Sequence, residues 1–270
     1  MSNSPASGFI GTGRTKSGSH DGSAGGVSGT SRAATTGSPG TGSLVNKGDD
    51  QLVMLVLNGT PSPAPFLRRL WAVSMPALLI AADGGASACL AAGLTPHHLV
   101  GDFDSLPSSL VELLASRKTI IHRYPEEKDA TDGELSLRLA AELGATRVLL
   151  TGTRGGRTSQ FLGVLGLLRL AESLRLPATI REPGEETRVL TGPGRLLIPG
   201  QPGDLLSLVP LTACRGLTTK GTRWELAQAD LDAGSSRGIS NRLAAPPVEL
   251  ELREGTLVVV REWEEPGDRF

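Results

Sequence analysis

The sequence runs to 270 residues (28.1 kDa), 39% hydrophobic and 20% charged, with a formal net charge of -1. A chain of this size can bury a real core in one large domain or two modest ones, and its charge balance excludes wholesale binding to nucleic acid or anionic membranes. Cys89 and Cys214 stand far apart without metal-ligand spacing, which argues against a disulfide framework or zinc site and for a reducing, cytoplasmic setting; no apolar run approaches the roughly 20 residues of a membrane span.

Residues 1–48 are Gly, Ser and Thr with almost no large apolar side chains, and they lack the apolar stretch of a secretory signal. Such a segment cannot bury enough surface to offset chain entropy, so a disordered tail is expected. A translation start at Met54 would remove the tail, but also Leu52 and Val53 from the first strand.

From Leu52 to about residue 182, short apolar runs alternate with helical patterns. Leu52–Leu57, Ala77–Ala82, Leu99–Val100, Thr119–His122 and Val148–Leu150 read as buried strands. Pro65–Val73, Ala86–Ala92, Ser108–Ser116, Asp132–Leu143 and Ser159–Leu174 read as helices. This alternation predicts a parallel sheet covered on both faces, an α/β domain over 49–184. In the fourth helix Thr131 and Glu134 form a capping box, Leu135, Leu139 and Leu143 make an apolar stripe, and Gly144 ends the helix. After about residue 185, Pro, Gly and Thr punctuate alternating runs such as Leu205–Val209, Val248–Leu252 and Thr256–Val260. These predict an all-β sandwich domain over 185–270.

Five segments carry candidate chemistry. In Gly101-Asp102-Phe103-Asp104-Ser105, alternation along an extended segment would face Asp102 and Asp104 the same way and turn Phe103 into the core. Two such carboxylates at the carboxyl end of a strand suit Mg²⁺; the plainer alternative is that Asp104 or Ser105 caps the next helix. In Lys128-Asp129-Ala130-Thr131-Asp132, Thr131 has a capping role, and Asp132 could add a third carboxylate. In Ala82-Asp83-Gly84-Gly85-Ala86, the glycines suit either close backbone approach to an anion or a tight turn. Thr151 to Thr158 matches the P-loop pattern poorly, yet Gly155, Gly156 and Arg157 on a strand-to-helix turn suit phosphate. Finally, Trp224 could stack on a flat heterocycle, with Ser240 and Asn241 beside it, or be a core Trp next to a polar turn.

In this order the segments resemble thiamine pyrophosphokinases, and the likeness extends over essentially all of the chain from Leu52 onward. The resemblance implies an N-terminal parallel-sheet α/β catalytic domain, a C-terminal all-β sandwich, and a homodimer with thiamine between subunits. By position, Asp102, Asp104 and Asp132 correspond to the Mg²⁺ and phosphate-side acids, and Asp83 and Arg157 to further catalytic groups. Gly84, Gly85, Lys128, Asp129, Gly155 and Gly156 fall around the ATP, and Trp224, Ser240 and Asn241 around thiamine. The implied reaction moves a pyrophosphoryl group from ATP to the hydroxyl of thiamine. Two departures stand out: Ser159 where the family has Asp, and Ser87 where Asn is frequent. Two alternatives stay open, a catalytically weakened thiamine- or nucleotide-binding relative and a phosphotransferase for another heterocyclic alcohol.

Overall fold

The computed structural model describes residues 50–264, so the expected tail lies outside the described residues. Eleven elements open the fold: β1 (Leu52–Val56), α1 (Ala64–Ser74), β2 (Leu78–Ala82), α2 (Gly85–Ala91), β3 (His98–Gly101), α3 (Ser108–Ser116), β4 (Ile120–Arg123), α4 (Asp132–Glu142), β5 (Arg147–Thr151), α5 (Thr158–Ser173) and β6 (Ala178–Glu182). The six strands pair in parallel in the order β6-β5-β1-β2-β3-β4. Every residue of β1 is buried, because side chains alternating along a central strand find a helix layer on each face. Met54 and Val56 pack with α1, α2 and α3, through Leu67, Leu70, Ala86, Cys89 and Leu114. Val53 and Leu55 pack with α4 and α5, through Leu137, Ala140, Leu167, Leu168 and Ala171. Burying a leucine of this kind contributes about 1.5–3 kcal/mol.

Three local expectations need correction. The run Thr119–His122 is an edge strand rather than a buried one: β4 pairs only with β3 and leaves Ile120 56% exposed. In α4 the fully buried residues are Ser136, Leu137 and Ala140, while Leu135, Leu139 and Leu143 are partly buried on its flank. Only half of the capping box forms, since Thr131 Oγ1 accepts from Glu134 N at 3.2 Å while the Glu134 carboxylate accepts from Arg138 one turn on. An exposed guanidinium outcompetes the weaker backbone donor for that carboxylate.

The antiparallel part consists of β7 (Glu185–Thr191), β8 (Gly194–Ile198), β9 (Leu205–Pro210), β10 (Cys214–Lys220), β11 (Ala229–Leu231), β12 (Asn241–Arg242), β13 (Val248–Leu252) and β14 (Thr256–Glu262). Four of these strands form a sheet in the order β11-β10-β13-β8. The other four, in the order β12-β9-β14-β7, continue the parallel sheet through the β6–β7 hairpin to make ten strands in all. A sandwich core of Leu190, Leu206, Leu208, Leu257 and Val259 against Ile198, Leu217, Val248, Leu250 and Leu252 lies between the two layers. The fold is thus mixed α/β with a C-terminal antiparallel portion, as expected, and one sheet is common to both portions. The segments β6, β7, β8, β10, β11 and β12 were not foreseen as strands; in β6 and β7 the alternation is broken by buried charges, Arg181, Glu182, Glu185 and Glu186.

Among the described residues no helix is long and apolar enough to cross a membrane. Cys89 and Cys214 are both buried and free, and burial pushes the Cys89 thiol up to about 12.

Candidate active site

The strand order reverses at β1, which has β2 on one side and β5 on the other. At such a switch point the loops leaving neighbouring strands diverge and open a crevice at the carboxyl edge of the sheet. A cleft of about 470 Å³ lies there, lined by the segments following β1, β2, β3 and β5 and by the first turns of α4 and α5.

Asp83, Asp102 and Asp104 bring carboxylate oxygens within 4.8 Å of one another in this cleft. Asp83 follows β2 directly and is 6% exposed. Its Oδ2 accepts from Asn58 Nδ2 (2.8 Å) and Ser105 Oγ (2.6 Å), whereas its buried Oδ1 has no hydrogen-bond partner among the described residues. A buried carboxylate oxygen without a donor is costly unless a cation stands against it. An all-oxygen carboxylate set of this kind fits a hard divalent cation such as Mg²⁺.

Asp102 and Asp104 converge for a different reason than extended alternation. The strand ends at Gly101, and Phe103 adopts φ +66°, so the chain turns. Asp102 Oδ1 accepts from Asp104 N at 3.2 Å across this turn. The Phe103 ring is buried, as expected, and the Arg123 guanidinium lies 4.6 Å from its centroid. Neither Asp104 nor Ser105 caps the following helix; the N-cap of α3 is Pro107, without a side-chain hydrogen bond. The hydroxyl of Ser105 holds Asp83 instead.

Lys128 links this triad to Asp132: its Nζ stands 2.8 Å from Asp102 Oδ2 and 3.1 Å from Asp132 Oδ1. The hydrogen bond from Lys128 holds the Asp102 carboxyl below the usual carboxylate range. Asp132 is pushed the other way, first by burial and also by the charges of Asp102 and Asp83, which together outweigh Lys128. Asp129 is exposed and does not line the cleft.

The opposite wall is the loop after β5. Gly155, Arg157 and Ser159 line the cleft, and Arg157 makes no side-chain ion pair among the described residues. Its backbone N–H donates to Gln160 Oε1 at 3.4 Å. Gly155 has φ +78°, and a Cβ there would overlap Thr60 Oγ1, so glycine is required. Gly84 and Gly85 are likewise demanded by packing, against the Asn58 side chain and the Val56 carbonyl. Gly156 has φ +68° on the same turn.

Trp224 is 56% exposed, so it is not a core tryptophan; the Arg223 guanidinium lies 4.9 Å from its ring centroid. Asn241 is buried and clamps the Trp224 backbone, accepting from Trp224 N (3.2 Å) and donating to Trp224 O (2.8 Å). Ser240, at φ +60°, is tied to Ser207 Oγ through its backbone N–H. Trp224, Ser240 and Asn241 do not line the cleft that holds the acids.

Sequence reasoning missed Asn58, which orients Asp83 from the end of β1. The available signal was a polar residue set between a fully buried strand and a glycine, at the edge where sites form.

Two sequence models match the chain: the thiamin pyrophosphokinase catalytic domain over residues 67–179 and the thiamin pyrophosphokinase vitamin B1 binding domain over residues 196–257. The thiamine pyrophosphokinase of Bacillus subtilis (strain 168) is 27% identical over 186 residues, 68% of this chain and 86% of the relative. The crystal structure of the B. subtilis thiamine pyrophosphokinase superposes with a TM-score of 0.71 at 24% identity, covering 80% of this chain and all of that one. That of thiamin pyrophosphokinase from Geobacillus thermodenitrificans gives 0.68 at 25% identity, covering 80% and 99%.

Proposed function

Because the chain belongs to the thiamin pyrophosphokinase family, we propose that it transfers a pyrophosphoryl group from ATP to the hydroxyl of thiamine, giving thiamine diphosphate and AMP. One observation carries this reading: an acid triad with an unpartnered buried oxygen faces an unpaired arginine across one cleft.

Asp83, Asp102 and Asp104 would hold Mg²⁺, with Asp132 beside them through Lys128. The cation supplies charge neutralisation for the phosphates. The remaining work is positioning. Arg157 forks onto phosphate oxygens, with Gly155 and Gly156 shaping its loop. Asn58 and Ser105 fix the Asp83 carboxylate, so it needs no reorganisation when ATP arrives. Lys128, pinned between Asp102 and Asp132, keeps these two acids from repelling each other in the absence of substrate. Thiamine's hydroxyl oxygen bonds to the β-phosphorus, the bond from that phosphorus to the α-side bridging oxygen breaks, and AMP departs. The hydroxyl proton passes to a carboxylate of the cleft.

Residues 49–184 would form the ATP half and 185–270 the thiamine half. Trp224 would stack on thiamine, its backbone fixed by Asn241, with Ser240 adjacent. Trp224 does not line the acid cleft, which favours a homodimer in which one copy's Trp224 faces its partner's acids. An apolar groove beside the Arg157 loop, with Phe161, Leu165, Val209, Leu211, Val258 and Val260, supports such pairing. The free, buried Cys89 and Cys214 agree with a cytoplasmic setting.

Ser159 favours one second reading. It lines the cleft without a charge, so a relative that binds thiamine or nucleotide without turnover would have this site. A coupled assay for AMP, with and without thiamine and Mg²⁺, decides between them. AMP release that requires both is expected; tight thiamine binding with no AMP at any Mg²⁺ concentration would establish the second reading.

A further inference from the structure

Glu182 ends β6 and is 3% exposed, yet no part of the proposed chemistry uses it. Its carboxylate is surrounded by donors from two different loops. Oε1 accepts from Thr153 N (2.7 Å) and Thr153 Oγ1 (2.8 Å). Oε2 accepts from Ser62 Oγ (2.9 Å) and, more weakly, from Thr151 Oγ1 (3.5 Å). All of these donors are neutral. A buried carboxylate held this way is ordered by its donors and orders them in return.

The two loops it joins are the walls of the cleft. The first follows β1 and carries Asn58, which holds Asp83. The second follows β5 and carries Gly155 and Arg157. Backbone hydrogen bonds stitch them further, from Gly59 N to Gly152 O (2.9 Å) and from Thr60 N to Arg154 O (2.6 Å). At Gly59 a Cβ would overlap the Gly152 and Arg154 carbonyls, so the loops are already at closest approach. Thr60 packs against Gly155 and Ser62 Oγ lies 3.2 Å from Thr151 Oγ1 across the seam, and Glu182 is the charged anchor beneath it that bonds side chains of both segments.

We propose that Glu182 is a positioning residue, which sets the spacing between the Asn58–Asp83 pair and the Arg157 loop and thereby the fit of the nucleotide phosphates. This rests on the reading of the cleft as the ATP site. Glu182 touches no reacting atom; it acts through Ser62 and Thr153. Its replacement by Gln keeps the shape but turns one acceptor into a donor, which must face Thr153 or Ser62.

The test combines kinetics with amide exchange on Glu182→Gln and, should that variant not fold, on Thr153→Val. Thr153→Val removes only the hydroxyl donor and keeps the backbone one. For Glu182→Gln we expect the ATP KM to rise by roughly tenfold with the thiamine KM unchanged, as lost bonds to a charged acceptor imply. Faster exchange is expected at 57–62 and 151–157, with the β1–β2 amides unaffected. For Thr153→Val a smaller rise in ATP KM, in the same direction, is expected. Unchanged exchange in both loops together with unchanged ATP KM would overturn the proposal. So would equal losses for ATP and thiamine, which a general loss of packing produces. If the native chain releases no AMP, the proposed function fails and the exchange data alone judge whether Glu182 holds the loops.

Discussion

Two regions of this molecule concentrate charge, and they differ in what their charges have left over. At the carboxyl edge of the parallel strands stand Asp83, Asp102, Asp104 and Asp132; one lysine pairs with Asp102 and Asp132, and a buried oxygen of Asp83 lacks a donor among the described residues. Around the β6–β7 hairpin the acids are answered by arginines. Glu186 pairs with Arg181 (2.5 Å), Arg188 (2.7 Å) and Arg261 (3.6 Å), and Asp204 with Arg261 (3.5 Å). The guanidiniums of Arg181 and Arg261 also lie over the Trp263 ring, at 5.0 and 4.4 Å. Both regions would look functional from a count of buried charges. Both border a cavity, but the first has spare anionic capacity there, whereas the second spends its acids on arginines that hold β6, β7, β14 and the turn before β9 together. A ligand site is marked by unanswered charge rather than by charge itself.

The largest effect should come from breaking the answered cluster. Glu186→Gln leaves three neighbouring guanidiniums with one anion fewer in a buried setting. A stability loss of about 3–5 kcal/mol is expected by chemical denaturation, with KM values nearly unchanged. A loss below 1 kcal/mol would mean that these pairs are screened like surface pairs, and the contrast would weaken.

The unanswered cluster should respond in the opposite sense. Asp104→Asn removes an exposed carboxylate with no buried partner to orphan. AMP formation should fall at least roughly a hundredfold if the proposed cation site is right, because a neutral amide neutralises and orients a cation less well than a carboxylate, while the thermal midpoint without Mg²⁺ stays level or rises. Retained Mg²⁺-dependent turnover would show that the cation sits elsewhere.

The smallest effect concerns Asp132 and pH. Burial, with the charges of Asp102 and Asp83, raises its folded pKa above the unfolded value of 3.8. The folded state therefore holds this proton more tightly, and the stability it contributes is present at low pH and lost as pH rises through the folded value. Asp132→Asn mimics the protonated form. It should raise the neutral-pH midpoint of the Mg²⁺-free protein modestly, and the gain should vanish as the pH is lowered below 4. A destabilised variant at neutral pH would instead make the ion pair with Lys128 the dominant contribution of Asp132.

The alternation of strands and helices from Leu52 to Ser173 could be read from the sequence because it is local. Side-chain period and chain stops such as Gly144 are properties of neighbouring residues, and a central parallel strand announces itself by being apolar throughout. The pairing of Asp102 with Asp104 was legible for the same reason, although a turn at Phe103 rather than an extended strand brings them together. The strands β6 and β7 were not legible, since Arg181, Glu182, Glu185 and Glu186 resemble a solvated turn until a partner strand and β14 bury them. Only the tertiary structure decided that one sheet runs through both portions, that Ser105 holds Asp83 rather than a helix end, and that Asn58 and Glu182 order the cleft. The shared sheet depends on burial of the short β6–β7 hairpin, whereas the bonds of Ser105, Asn58 and Glu182 join residues 22 to 120 positions apart, as in Ser105 to Asp83 and Ser62 to Glu182. Local propensity carries no information about which distant donor reaches a buried carboxylate; burial does, because it removes the water that would otherwise answer it.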